Sequence, residues 1–179
     1  MDNSRITTIL TLALLLISLG AIAAGETQQT LNQGKVHFSV PSGWSTIMEK
    51  SDGDPQAIVI QAPDASAATS ADAATITVKT RSLGDPSQFA SAVQAEFDRS
   101  KSQPGYKRDT SVADGSAHQY FVQRGKTRYL VRDSFFLTGT VAVQVRCQRP
   151  LIEALPADWT SRFDSACASV FASLKQARQ

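Results

Sequence analysis

Histidine, cysteine and aromatic residues are all scarce in this chain of 179 residues, which has two histidines, two cysteines and only 7% aromatic residues. His37 and His118 lie at no metal-ligand spacing from each other or from a cysteine, so a zinc site has little support. The sequence also has no G-x-S-x-G motif and no glycine-rich phosphate loop. We therefore expect no metal, no cofactor and no catalytic residue, and an enzyme is the least favoured class.

Strong charge of either sign is lacking too. The chain has 18 Lys and Arg against 16 Asp and Glu, a net charge of +2. This balance is too mild to predict binding to nucleic acid or strong adsorption to a membrane surface. Four loop aspartates could gather around calcium, but the spacing of a calcium-binding loop is absent, so solvated loops are the favoured interpretation.

The one long apolar run is at the N-terminus, where residues 9–24 read ILTLALLLISLGAIAA. Ala21, Ala23 and Ala24 fit the small-residue pattern of a cleavage site, which predicts a secretory signal peptide over residues 1–24 and a periplasmic or secreted protein. A retained membrane anchor is the alternative, since the run approaches the ~17 residues of the shortest spans. No cysteine lies in or just after this segment, which excludes a lipid anchor at a cysteine.

Polar residues 25–34 predict a flexible lead-in, followed by a single domain over residues 35–179. Strands are predicted at Lys35–Val40, Ala57–Gln61, Ala74–Thr80 and Tyr106–Ala113. From Ser116 to Cys147, three β-rich runs joined by turn signals predict an antiparallel meander with one packed and one wet face. Apolar stripes predict one helix beginning at Asp85-Pro86 and another near Ala157–Gln176. The expected fold class is α+β, with the sheet covered by these central and C-terminal helices.

The two cysteines lie in elements that must pack together. Cys147 is on the valine-rich face of the last strand of the meander, and Cys167 is on the apolar stripe of the last helix. Because exported proteins meet an oxidising environment, we predict a Cys147–Cys167 disulfide, with two reduced buried thiols as the alternative. No C-x-x-C motif supports a redox pair.

The order of elements, with the stretch Phe38, Val40, Pro41, Gly43 and Trp44 in the opening strand, resembles the PsbP/Mog1-like α/β/α sandwich group, including DcrB-type bacterial envelope proteins. The resemblance implies a non-catalytic protein that binds other proteins, and a structural role for these five residues. The chain departs from DcrB-type lipoproteins because it lacks their anchoring cysteine.

Cations cluster along the meander. We predict a basic strip for partner binding formed by Arg124, Arg128, Arg132, Arg146 and Tyr129, because arginine and tyrosine are enriched in protein interfaces. An ordinary charged sheet surface that blocks edge aggregation is the alternative.

Three functions remain after these considerations. The first is an exported protein that binds another protein of the cell envelope, including an inhibitor or immunity type that blocks an envelope-active partner. The second is an assembly or stabilising subunit of an envelope membrane complex. An enzyme is the third, and the sequence offers no set of residues from which to build its site.

Overall fold

The computed structural model describes residues 26–63, 73–112, 117–153 and 155–176 of the chain. The predicted signal peptide, residues 1–24, lies outside the described residues. None of the helices among these residues is long and apolar enough to cross a membrane.

Nine strands form two sheets within the described ranges. A two-stranded sheet pairs β1 (Thr27–Leu31) with β2 (Val36–Val40). The larger sheet has seven strands in the order β3-β4-β5-β9-β8-β7-β6, and every neighbouring pair is antiparallel. Its members are β3 (Ser45–Lys50), β4 (Gln56–Gln61), β5 (Thr75–Ser82), β6 (Lys107–Arg108), β7 (Ala117–Arg124), β8 (Thr127–Thr138) and β9 (Val141–Pro150).

Two helices cover opposite faces of the large sheet. A 3-10 turn at Pro86–Gln88 leads into α1 (Phe89–Lys101), and α2 (Ala157–Gln176) follows β9. Phe97 of α1 packs against Phe135, whereas Phe171 of α2 packs against the next residue, Phe136. Because successive residues of a strand point to opposite faces, the helices lie on opposite sides of β8. The predicted fold class is confirmed. The meander was also predicted to have one solvent-exposed face, which was wrong, because α1 covers part of that face.

The main core lies between the sheet and α2, and the β1–β2 hairpin closes it from the side. It is built from residues of β1, β2, β4, β5, β8 and β9 and from the apolar stripe of α2; its largest fully buried members are Phe38, Ile58, Ile60, Ile76, Val78, Val143, Val145 and Val170. The predicted disulfide crosses this layer. The sulfur atoms of Cys147 in β9 and Cys167 in α2 are bonded, and the two Cα atoms lie 6.1 Å apart.

Three strands differ from the predictions. Residues 25–34 were predicted as a flexible lead-in, which was wrong, since β1 pairs with β2 along its whole length and Leu31 is buried. β3 was missed because all six of its residues are exposed, so the sequence shows no alternation there. The strand predicted at Tyr106–Ala113 is present only as the two residues of β6.

Candidate functional site

The strongest candidate site is a patch on β7, β8 and β9 on the same side of the sheet as α2. Directly opposite residues of an antiparallel pair share a face. Phe121 faces Leu130, and Leu130 faces Arg149 on its other side. The flanking pairs on the same face are Gln119 with Arg132 and Gln123 with Arg128. We call this patch the arginine face; it consists of Gln119, Phe121, Gln123, Arg128, Leu130, Arg132 and Arg149.

The three arginines that surround Leu130 differ in the contacts that their guanidinium groups make. The guanidinium of Arg128 lies over the Phe121 ring, 4.1 Å from its centroid, a cation–π contact. Arg149 pairs with Asp164 of α2, with Nε to Oδ1 at 3.1 Å. Arg132 is exposed and makes no ion pair with any residue in the described ranges. The arginine face therefore combines a half-buried Phe–Leu pair with cations that solvent can reach.

A cavity of about 210 Å³ opens at the edge of the arginine face, where the sheet meets α2. Arg132, Arg149 and Leu130 line one side of it, and Phe163 and Asp164 of α2 line the other. The Cys147–Cys167 disulfide also borders this cavity. A covalent link between β9 and α2 therefore joins the two walls of this cavity.

Only some residues of the predicted basic strip lie on one face of the sheet. Arg128 and Arg132 share the arginine face as expected, but Arg146 does not join them, because β8–β9 pairing places it opposite Asp133 on the α1 side. Tyr129 is buried on the α1 side as well, with 1% of its surface exposed. Arg124 lies over the Tyr129 ring, 5.1 Å from its centroid, and bonds to Gln148. Arg149 takes the place expected for Arg146.

A buried polar network occupies the α1 side of the same strands. Arg146 donates two hydrogen bonds to the fully buried Asp133 carboxylate, from Nε at 2.7 Å and from Nη2 at 2.9 Å. The Tyr120 hydroxyl donates to Asp133 at 3.0 Å and lies 3.1 Å from Ser100 Oγ of α1. Lys79 and Glu96 add an ion pair at 2.7 Å between β5 and α1. The network therefore attaches α1 to the sheet.

The pKa shifts of this network follow from burial and pairing. Burial and the neighbouring Asp133 carboxylate raise the pKa of Tyr120 to about 12. Burial alone would lower the pKa of Arg146, but its bonds to Asp133 raise it. Burial alone would raise the pKa of the Glu96 carboxyl, but its bonds to Lys79 and Arg99 hold that pKa below its usual range. All three shifts keep a fixed protonation state near neutral pH, which is the behaviour of a structural network rather than of an acid–base pair.

His118 sits at the end of this network in an aromatic cluster. Its ring stacks on Phe97 at 4.4 Å, and Nε2 lies 3.2 Å from the Tyr106 hydroxyl. Burial lowers the pKa of His118.

The other histidine, His37, is exposed on β2. No group of three or more possible metal ligands occurs within the described ranges.

The residues of the predicted structural stretch line the other end of the α2 layer. Phe38 and Val40 are buried in the main core. The Trp44 amide donates to the Pro41 carbonyl at 3.3 Å, and Gly43 between them has φ +79°, a conformation that favours glycine. The Trp44 ring packs against Phe163 with centroids 5.7 Å apart.

Sequence reasoning missed Asp133 and Asp164, which pair with Arg146 and Arg149 of β9. A signal for Asp133 exists in the sequence. The hairpin turn at Gly139-Thr140 pairs Thr138 with Val141, and counting outward from that pair places Arg146 opposite Asp133. No comparable signal exists for Asp164, since the approach of α2 to β9 depends on tertiary packing.

Comparison with solved structures shows what this fold is similar to. LpqN, described as involved in cell envelope biogenesis of Mycobacterium tuberculosis, is 15% identical with a TM-score of 0.50, and the match covers 84% of this chain and 83% of LpqN. A protein from Bacteroides thetaiotaomicron is 17% identical with a TM-score of 0.45, covering 84% of this chain and 47% of its own. The E65A mutant of Mog1 is 13% identical with a TM-score of 0.47, covering 85% and 94%.

The structure has the α+β arrangement that the PsbP/Mog1-like resemblance predicted, and at 15% identity the match to LpqN shows a shared fold alone. No protein-family model matches the sequence, and no curated protein does. The function therefore has to be argued from the surface of this chain itself.

Proposed function

We propose that this is an exported, non-catalytic protein that binds an acidic surface of another cell-envelope protein through the arginine face. The observation that carries the proposal is the grouping of Arg128, Arg132 and Arg149 around the half-buried Phe121–Leu130 pair. An aromatic–aliphatic centre with a cationic surround is the composition expected of a protein interface. The cations select an acidic partner and raise its association rate.

Two observations support an extracytoplasmic location. The Cys147–Cys167 disulfide is of the kind that persists in oxidising compartments and is rare in the cytosol. The sequence before the described residues has the apolar run and small-residue ending of a signal peptide. Both features support export, and the involvement of LpqN in cell envelope biogenesis is in keeping with that compartment.

Binding is favoured over catalysis by the way in which the titratable groups are used. Asp133, Arg146 and Tyr120 satisfy one another beneath α1. On the arginine face, the nearby carboxylate of Asp164 pairs with Arg149. The Tyr106 hydroxyl beside His118 Nε2 is part of the aromatic packing with Phe97 and Tyr120, which favours a structural role for that pair as well.

The test is crosslinking and affinity capture of the mature protein from envelope preparations, read by mass spectrometry. Arg128→Glu/Arg132→Glu should abolish capture of the partner, because two attractive contacts become repulsive. The matched control is Lys50→Glu/Arg81→Glu, which makes the same change of net charge at exposed sites outside the arginine face. Capture that survives the first variant, or that is lost equally in the control, would overturn the proposal.

The kind of partner recovered decides between two forms of this function. One dominant soluble partner that the protein inhibits would identify an inhibitor or immunity type. A membrane complex recovered as a set would identify an accessory subunit. In both cases the arginine face is the surface that the charge-reversed variant removes.

A further inference from the structure

The cavity beside the arginine face has a cationic end that an internal carboxylate already occupies. Arg149 Nε lies 3.1 Å from Asp164 Oδ1, and Arg149 Nη2 lies 3.4 Å from Asp164 Oδ2. This side-on arrangement, with two parallel contacts, is how a guanidinium recognises a planar carboxylate. The Arg149–Asp164 pair therefore shows directly which ligand geometry this end of the cavity accepts.

The two partners differ in how firmly they are held. The Arg149 side chain is 14% exposed, whereas the Asp164 side chain is 55% exposed. The arginine is thus fixed in the wall of the cavity, while the half-exposed aspartate can turn into solvent once an incoming carboxylate takes over its contacts with Arg149. An incoming carboxylate can replace Asp164 without moving the cation.

A second cation lies on the rim of the same cavity. Arg132 is exposed and has no ion-pair partner in the part of the chain that the structure describes. Gln119 lies there too, but its amide already donates to Asp109 at 2.8 Å. Arg132 is therefore a cation without an ion pair within the described ranges, and Arg149 is a cation whose partner, Asp164, is largely exposed.

The size and walls of the cavity restrict what can enter. A volume of about 210 Å³ has room for several waters, and so for one amino-acid side chain. Leu130, Phe163 and the disulfide provide apolar walls between the two arginines. A glutamate fits this arrangement, since its methylene stem can pack on the walls while its carboxylate meets an arginine.

We propose that this cavity is the binding site for a glutamate side chain of an acidic protein segment, and that Asp164 occupies its Arg149 end until that segment binds. The inference rests on the proposed function and specifies its ligand. Arg132 supplies the first contact and Arg149 the second, after Asp164 has been displaced. Asp164 is then a built-in competitor, and removing it strengthens binding.

The test uses fluorescence anisotropy with a labelled peptide of alternating glutamate and leucine, and a comparator peptide with glutamine at each glutamate. Asp164→Asn should tighten binding of the acidic peptide by up to about five-fold, the worth of an exposed ion pair. Arg132→Gln should weaken it by about tenfold or more, the worth of a hydrogen bond to a charged group. Neither change should alter the binding of the glutamine peptide.

Matched controls separate a local effect from a change of net charge. Asp158→Asn removes another exposed carboxylate from α2, one that pairs with Arg162, and should leave the affinity unchanged. Arg81→Gln removes an exposed cation outside the arginine face and should also leave it unchanged. Thermal melts of all four variants confirm that each is folded.

The outcomes distinguish this inference from the proposed function. Affinity that is unchanged by Asp164→Asn, or raised as much by Asp158→Asn, would overturn the role of Asp164. Equal binding of the two peptides would overturn the carboxylate site. If the inference fails while Arg128→Glu/Arg132→Glu still abolishes partner capture, the proposed function stands. If the peptide behaves as expected and capture survives that reversal, the proposed function fails and the site stands.

Discussion

Arg132 and Arg146 lie on neighbouring strands one position out of register, and that single step gives them opposite roles. Arg132 faces Cys147 and points out beside the edge of α2, while Arg146 faces Asp133 and is enclosed beneath α1. On one side of the sheet the arginine is exposed and can bind a partner, and on the other side the arginine is paired with a buried carboxylate and stabilises the fold. The difference shows that the role of an arginine in a strand depends on which face it occupies and on what covers that face.

The largest expected effect comes from breaking the enclosed side. Asp133→Ala leaves Arg146, whose side chain is only 25% exposed, without its partner and removes the acceptor of the Tyr120 hydroxyl, so we expect a loss of about 3–5 kcal/mol in the free energy of unfolding. The next residue along the strand provides the control: Arg132→Ala should change it by no more than about 0.5 kcal/mol. Urea unfolding measures both. Similar losses for the two variants would contradict the contrast between the faces.

The disulfide joins the strand and the helix on the side of the arginine face. Replacing both Cys147 and Cys167 by serine should cost about 3 kcal/mol in oxidising conditions, since the crosslink closes a 20-residue loop. Wild type in reductant should fall to nearly the same stability, and the variant should not respond to reductant. An equal difference between the two proteins with and without reductant would mean that the sulfur atoms act as core packing instead.

The smallest expected effect is a pH dependence from the enclosed side. Because burial holds the pKa of His118 below its ordinary value of 6.5, the unfolded chain takes up a proton at a higher pH than the folded protein does. The stability from neutral His118 is complete above pH 6.5 and is lost as the pH falls below it. His118→Phe keeps the stacking on Phe97 and should flatten this dependence.

Urea unfolding of wild type and of His118→Phe at pH 7.5, 6.5 and 5.5 checks the sign. The charged groups around His118 are Asp133, which opposes the shift, and Arg108, Lys101 and Arg146, which support it. Parallel profiles for the two proteins would show that another group carries the pH dependence.

Much of the fold could be predicted because the alternation along β8 and β9 and the apolar stripe of α2 reflect real burial. β1 and β3 could not be, since few of their residues are buried and β3 has a bulge between Thr46 and Met48. The shared face of Arg128 and Arg132 was predictable from their even spacing. The position of Arg146 depended on pairing register, and the Arg149–Asp164 contact on how α2 docks, which no local pattern encodes.

The most direct test of the proposed role of the arginine face is site-specific photocrosslinking in cells. A photoreactive residue would replace Gln123 on the arginine face or, as a matched position, the exposed Gln94 on α1. We predict one dominant crosslinked partner from position 123, lost in the Arg128→Glu/Arg132→Glu background, and none from position 94. A partner crosslinked from position 94 and not from position 123 would contradict the account.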